Sequence, residues 1–373
     1  MINPNLIIPS ILGITLIISG VLIGIDRKKK RKLSEKPLIS VLIPAYNAAE
    51  NIENTLANLR ASHDPKKLDI IIVNDKSSDN TLEILRKIKS KFNFRLINNK
   101  RNLGKAACVN KAFDHSRGEI VLVLDSDIII GPKAISDILS RFESDERIGG
   151  VCCGYRIINR KGILPKMQDI EYGMLSFIQE SYNPLSTMSL WGGCAAFRRE
   201  AFSEIGKLST NFIVEDMDSA LKLQEHGWKT QQSTFPVYTF APDGGKAWLK
   251  QKIRWSSGAM QNFIKHTRLF LTNPLALFYL ISLSVLGVST LYNIFIGVGN
   301  RSFIQVLAYS LIYPLFNLPY VLYLKDYRKN PLRILWVIPY SLIYYPIFVL
   351  VNLIGFVVGI VRYRSLSKGK RAW

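Results

Sequence analysis

The sequence predicts an α/β protein, a water-soluble domain built on a sheet of parallel strands and held between membrane-spanning helices. Three observations carry the prediction. Between residues 37 and 255, short apolar runs alternate with stretches of helical spacing. Most of these runs end in polar residues. Two long apolar regions, 5–25 and 273–361, flank the alternating part.

The first flank, NLIIPSILGITLIISGVLIGI (5–25), reaches the ~20 residues a helix needs to cross a bilayer. DRKKKRK follows it, whereas a secretory signal carries its charge first and a small-residue cleavage site last. This order predicts an uncleaved anchor, with the N-terminus outside and residues from 26 onward in the cytoplasm.

Within 37–255, LISVLIPAYN reads as a buried strand ending in a loop, and AENIENTLANLRAS as the helix after it. LDIIIVND is a second strand, followed by a helix through DNTLEILRKIKSKF. FRLINN is a third strand and GKAACVNKAFDHS its helix; EIVLVLDSD is a fourth strand. Strand–helix alternation predicts a parallel sheet covered on both faces. The polar strand tips lie at the carboxyl edge, where open α/β sheets bind ligands. Residues 256–272 read as an interfacial amphipathic helix.

The second flank holds about three hydrophobic segments, near 274–298, 303–324 and 332–361. The basic loop KDYRKNPLR (325–333) is expected in the cytoplasm and the loop near Asn300 outside. Pro339 and Pro346 interrupt the last segment, which can kink, re-enter or lie partly in the interface. The basic tail, 362–373, is expected on the cytoplasmic side.

Lys and Arg number 49 against 28 Asp and Glu, a net charge of +21. A nucleic-acid binder can show that balance. Here 48% of residues are hydrophobic and gather in long runs. The basic residues are therefore read as facing an anionic leaflet and anionic substrates, and no nucleic-acid partner is expected. Cys108, Cys152, Cys153 and Cys194 form no CxxC pair and read as reduced, buried thiols.

The chemistry-bearing residues sit at the strand ends. Asp125 and Asp127, with Ser126 between them, follow an apolar strand. Two such carboxylates can meet a divalent cation and a diphosphate, or simply form a turn. Asp75 ends the second strand, where it can accept from a base or ribose; Ser78 or Asp79 beyond it suits a helix cap. Pro44, Ala45 and Tyr46 end the first strand and allow a nucleotide close to the backbone, with Glu50 near enough for a ribose hydroxyl. Lys105 follows Gly104 at a helix start, where it can meet phosphate or base or stand exposed. Glu215, Asp216 and Asp218 open another helix; they fit its dipole, and one of them can serve as a general base. Gly192 and Gly193 permit close backbone approach, and Arg198 and Arg199 beside them can be surface decoration. Gln251, Arg254 and Trp255 in QKIRWSSG read either as the start of an interfacial helix or as a site for a charged leaving group and a flat, ring-shaped acceptor.

The order PAYN, strand-tip Asp, N-x-GK, DxD, GG-x-AAFRR, ED, QxxRW resembles the family 2 glycosyltransferases, in particular the membrane-embedded, often processive branch. That branch makes cellulose, hyaluronan, chitin and poly-N-acetylglucosamine. The resemblance covers about residues 37–258; no single motif is specific, and the ordered set is. It implies a GT-A (Rossmann-like) glycosyltransferase domain flanked by transmembrane helices. It implies an inverting transfer from a nucleotide-sugar, most simply a UDP-sugar, to a growing β-linked polysaccharide. The alternative is transfer of one sugar to a lipid carrier or glycolipid. By the resemblance, Asp75 contacts the base, Asp125 the ribose or diphosphate, and Asp127 binds Mg²⁺ or Mn²⁺. Pro44, Tyr46, Glu50, Lys105 and Ser126 complete the donor site. Asp216 is the base; Gly193, Glu215, Gln251 and Arg254 serve the diphosphate and acceptor, and Trp255 stacks on the acceptor. The implied setting is the plasma membrane, multi-pass, with the catalytic domain cytoplasmic and room for an export partner. The chain departs from the common pattern at Asn74, where many members carry a second aspartate, and at IVED in place of TED.

Overall fold

A computed structural model describes residues 4–29, 37–273, 277, 314–315 and 317–366. The segment expected at 274–298, most of that at 303–324, the loop near Asn300 and most of the basic tail lie outside the described residues.

The chain divides into two compact units. One comprises 26–158 and 182–240; the other comprises 1–25, 159–181 and 241–373. This departs from the continuous 37–255 domain expected from sequence. Residues 159–181 carry no motif that separates them from their neighbours, and only tertiary packing assigns them elsewhere.

The first unit holds an eight-stranded sheet. Its strands are β1 (Ile39–Ala45), β2 (Leu68–Asn74), β3 (Arg95–Asn98), β4 (Ile120–Leu124), β5 (Ile129–Ile130), β6 (Ile148–Ile157), β7 (Cys194–Arg198) and β8 (Lys229–Thr239), in the order β3-β2-β1-β4-β7-β6-β8-β5. β3, β2, β1 and β4 pair in parallel as expected. β7 runs antiparallel to both β4 and β6, so the sheet is mixed.

Alternate residues of β1 point to opposite faces, as strand geometry requires. Ile39, Val41 and Ile43 join the core beneath α2 (Ile52–Ser62), α3 (Thr81–Phe92) and α5 (Ala134–Ser144). Leu42 joins the core beneath α4 (Lys105–Asp114), α7 (Arg199–Glu204) and α8 (Glu215–Glu225). Register then aligns the strand tips. Ala45 lies opposite Asn74, Asn74 opposite Asn98, and Leu124 opposite Cys194. Arg198 and Arg199 are clamps rather than decoration. Arg198 donates to the Ile148 and Phe142 carbonyls, and Arg199 to the Gly118 carbonyl and Ser116 Oγ.

The second unit contains α1 (Pro4–Lys28) up to Ile25, α6 (Ile163–Ser181), α9 (Gly245–Lys265), α10 (Thr267–Thr272) and α11 (Tyr345–Leu366). Among the described residues, one helical stretch, Leu332–Tyr363, is long and apolar enough to cross a membrane, with mean hydropathy 2.2. It is not uniform. Short helical turns give way to a π-helical turn at Tyr340–Tyr344 before α11. Pro346 has no N–H to complete the α-ladder, which accounts for the irregular turn behind it. The stretch between Pro339 and Pro346 is thus irregular but still helical. α9 starts at Gly245 and runs unbroken through residues 255 and 256. QKIRWSSG is thus mid-helix, not a helix start. α11 packs on α9 through small residues. A Cβ on Gly355 would overlap Ser256 Oγ, and one on Gly359 would approach the Ser257 carbonyl to 2.5 Å.

Candidate active site

The carboxyl tips of β1, β2 and β4 and the start of α4 enclose a cavity of about 300 Å³, large enough for part of a small-molecule ligand. Pro44, Tyr46, Asp75, Lys105 and the run 125–127 are among its lining residues. Glu50 is exposed in the turn before α2 and is not among them.

Asp75 extends the sheet by one bond, its N–H donating to the Ala45 carbonyl at 2.8 Å. Its carboxylate accepts from Asn99 Nδ2 (2.9 Å), Leu103 N (2.9 Å) and Gly104 N (2.8 Å). Burial raises the carboxyl, but these donors outweigh it and hold Asp75 below the usual range. Asp75 therefore shapes the N-x-GK loop as well as the cavity wall. Gly104 has φ +85°, a left-handed conformation suited to glycine, and it delivers Lys105 to the first turn of α4. Asp79, not Ser78, makes the capping bonds expected here, accepting from Thr81 N and Oγ1. Asn74 hydrogen-bonds Asn98 and Ser77.

Lys105 Nζ is the electrostatic hub. It lies 2.6 Å from Asp125 Oδ1, 3.0 Å from the Gly192 carbonyl and 3.7 Å from Glu215 Oε1. Burial alone would depress its pKa, but Asp125 first, then Glu215, raise it above the usual lysine value. Asp127 is pushed up by burial and by the neighbouring Asp125. Two oxygen donors at one strand tip suit a hard divalent cation. Among the described residues no cluster of three or more His, Cys, Asp or Glu could hold a metal by itself. Further oxygens would have to come from a ligand such as a diphosphate, or from water, as Mg²⁺ commonly requires.

The paired glycines precede β7. The Gly193 carbonyl accepts from Asp125 N at 2.9 Å, and Gly193 N donates to Tyr155 Oη at 2.5 Å. Gly192 N donates to Asp216 Oδ2 at 2.9 Å. Asp216 sits in the first turn of α8, and its Oδ1 is buried with no hydrogen-bond partner. Burial, then the adjacent Glu215, raises its pKa to about 6 against the opposing Gly192 N–H and Lys105. Asp218 is tied to Ser209 Oγ at 2.6 Å and Glu215 faces Lys105 Nζ at 3.7 Å, whereas Asp216 keeps one buried oxygen without a hydrogen-bond partner. The four cysteines are free and buried. Sequence reasoning did not single out Tyr155 or Asn99, because neither lies in a motif; pairing between distant strands brings them in.

Residues 40–206 match the family described as Glycosyl transferase family 2. The chain carries a family 2 glycosyl transferase domain. It is 31% identical over 277 residues to a poly-β-1,6-N-acetyl-D-glucosamine synthase of Staphylococcus aureus (strain COL), covering 70% of this chain and 66% of that protein. It is 29% identical over 282 residues to the poly-β-1,6-N-acetyl-D-glucosamine synthase of Staphylococcus epidermidis, covering 74% and 67%. The chain thus spans about two thirds of these relatives' length. A solved mannosyltransferase from Pyrobaculum calidifontis, in complex with GDP-Man and Mn²⁺, matches 90% of this chain and 96% of its own, at 21% identity and TM-score 0.58. That likeness shows the fold, a GT-A-like α/β architecture with a mixed sheet.

Gln251, Arg254 and Trp255 lie on α9, in the second unit. Spacings of three and four residues put them on one helix face. Tyr172 of α6 packs there, its ring 5.9 Å from the Trp255 ring.

Proposed function

We propose that this chain is an inverting membrane glycosyltransferase that extends a β-linked polysaccharide from a nucleotide-sugar, with UDP-N-acetylglucosamine as the first donor to test. The observation that carries the proposal is Asp216. It is a carboxylate with a pKa raised to about 6 and a partnerless buried oxygen, linked through Lys105 to the DxD carboxylate Asp125. The names of the staphylococcal relatives support the choice of sugar.

In this reading the nucleotide occupies the cavity at Pro44, Tyr46 and Asp75, with Asp125 and Ser126 toward ribose and diphosphate. Glu50 has a supporting role at the ribose. Asp127 would hold Mg²⁺ or Mn²⁺, which when bound would supply positive charge to the leaving diphosphate. Lys105 adds its own positive charge beside Asp125. Gly193 and Glu215 line the path from diphosphate to acceptor. Gln251 and Arg254 contact the diphosphate, and Trp255 stacks on the acceptor ring. Asp216 takes the acceptor hydroxyl proton as that oxygen attacks the anomeric carbon. The bond from that carbon to the diphosphate oxygen breaks on the opposite face, and UDP leaves. A single displacement turns an α-linked donor into a β-linkage. In this reading the helix over 5–25 and the stretch Leu332–Tyr363 both cross the plasma membrane, and the catalytic domain is cytoplasmic. A partner completes export.

The test is the purified full-length protein in nanodiscs, given Mn²⁺ or Mg²⁺ and a panel of UDP-sugars, with UDP release measured and labelled product sized. UDP release with one donor and a long polymer supports the proposal. A single-sugar lipid product would replace it with glycolipid synthesis, and no release with any donor would contradict it.

A further inference from the structure

α6 and α9 bury an ion pair that none of the proposed chemistry uses. Lys252 Nζ lies 2.5 Å from Glu171 Oε1, and both side chains are fully buried. The other Glu171 oxygen accepts from the Tyr344 hydroxyl, which itself accepts from Trp248 Nε1 at 2.7 Å. Four side chains from α6, α9 and the π-helical turn thus form one continuous line of polar contacts.

Stability is a poor explanation for such a pair. Replacing a buried ion pair with neutral groups of similar volume is often neutral or stabilising, because desolvation offsets the attraction. Its placement is more informative. Lys252 lies one residue after Gln251 and three before Trp255. Its ammonium sits 4.3 Å from the centroid of the Trp255 ring and 5.1 Å from that of Tyr172. Tyr172, adjacent to Glu171 in sequence, walls the indole at 5.9 Å with the planes at 38°. A cation against an aromatic face in a desolvated setting is a strong directional contact. Glu171 fixes the cation, the cation fixes one face of the indole, and the half-buried Trp255 keeps accessible surface for a ligand.

We propose that the Glu171–Lys252 pair, with Tyr172 beside it, is a positioning device that sets the orientation of the Trp255 indole for the acceptor sugar. The inference rests on the role of Trp255 given above. It makes Glu171, Lys252 and Tyr172 determinants of acceptor use, none of them touching substrate. Their loss leaves the cavity residues Pro44, Tyr46, Asp75 and Lys105, carried by the other unit, with their own contacts intact.

The test uses the full-length protein in nanodiscs with UDP-N-acetylglucosamine, comparing elongation and acceptor KM with acceptor-free UDP release. E171Q/K252M removes both charges together, so neither remains buried alone. Y172L keeps the pair and removes the ring wall. K252R keeps charge and stacking. Misplacement of a substrate-holding group by ~1 Å can cost about 100-fold. Elongation by E171Q/K252M and Y172L should therefore fall about 10- to 100-fold with a raised acceptor KM, while acceptor-free UDP release stays within about twofold. K252R keeps the positive charge but must fit a larger planar group into a fully buried site, and it should retain more elongation than E171Q/K252M. Elongation within twofold of wild type in both E171Q/K252M and Y172L overturns the proposal. So does a parallel fall of UDP release and elongation, which marks a merely structural pair. If E171Q/K252M does not fold, Y172L decides alone. Failure of the wild type to release UDP would instead count against the proposed function.

Discussion

Replacing Asp216 with asparagine should abolish elongation while leaving nucleotide binding and the fold in place. The side chain keeps its size, and the asparagine carbonyl can still accept from Gly192 N, which now lies 2.9 Å from Oδ2. What is lost is the base. A positioned general base contributes about 10²–10⁴ in rate, so D216N should lose at least about 100-fold, or ~2.7 kcal/mol of barrier. The wild-type pH profile carries the same signature. Burial and Glu215 put the Asp216 carboxyl at about 6, and it must be ionised to act. Elongation should fall about tenfold per pH unit below that value, reaching roughly a tenth of its plateau at pH 5. The residual activity of D216N should lack this acidic limb. Stability moves the other way. The folded pKa is raised from 3.8 to about 6. Its contribution is complete below pH 3.8 and lost as pH rises through about 6, a difference on the order of 3 kcal/mol. D216N escapes that loss and should melt no lower than wild type at pH 7.5. The assays are UDP release and product labelling across pH 5–8, UDP binding by calorimetry, and thermal melting in detergent. Loss of UDP binding in step with turnover, or an acidic limb that persists in D216N, would refute the reasoning.

Other substitutions probe the neighbouring contacts. Asp127→Ala removes one of two carboxylates at the strand tip, so Mn²⁺ should no longer strengthen UDP binding; an unchanged Mn²⁺ dependence in calorimetry would move the metal elsewhere. Gly193→Ala drives a Cβ into the Tyr155 hydroxyl and ring. It should cost about 1–3 kcal/mol in melting and weaken UDP binding through Asp125, whose N–H bonds the Gly193 carbonyl. Gly355→Ala meets Ser256 on α9 and should destabilise by a similar ~1–3 kcal/mol. S256G/G355A should recover part of that loss, and equal melting of the single and double variants would argue against the close helix approach.

The parallel half of the sheet was legible because β1, β2 and β4 are buried runs that end in polar tips. The same logic marked Asp75, Lys105, Asp125 and Asp127, since a strand end is where an α/β sheet can face a ligand. The antiparallel β7 was not legible: CAAFR carries no signal for its direction, and pairing with β4 and β6 is a tertiary choice. Arg198 and Arg199 read as surface charge because their hydrogen-bond partners lie 50 to 83 residues away in the chain. Lys252 carries no motif signal in the sequence. Only the packing of α6 on α9 shows a buried ammonium with Glu171 as its counter-ion. Asp216 was found by motif, but its pKa is raised by burial and then by Glu215, against the Gly192 N–H and Lys105, and that burial comes from tertiary packing, which spacing alone cannot supply.

The most direct test of the account is the anomeric configuration of the first bonds formed from α-linked UDP-N-acetylglucosamine, read by proton NMR during the reaction. A single displacement assisted by Asp216 predicts β-linked products from the earliest time point. New linkages in the α configuration would contradict both the inverting mechanism and the role assigned to Asp216.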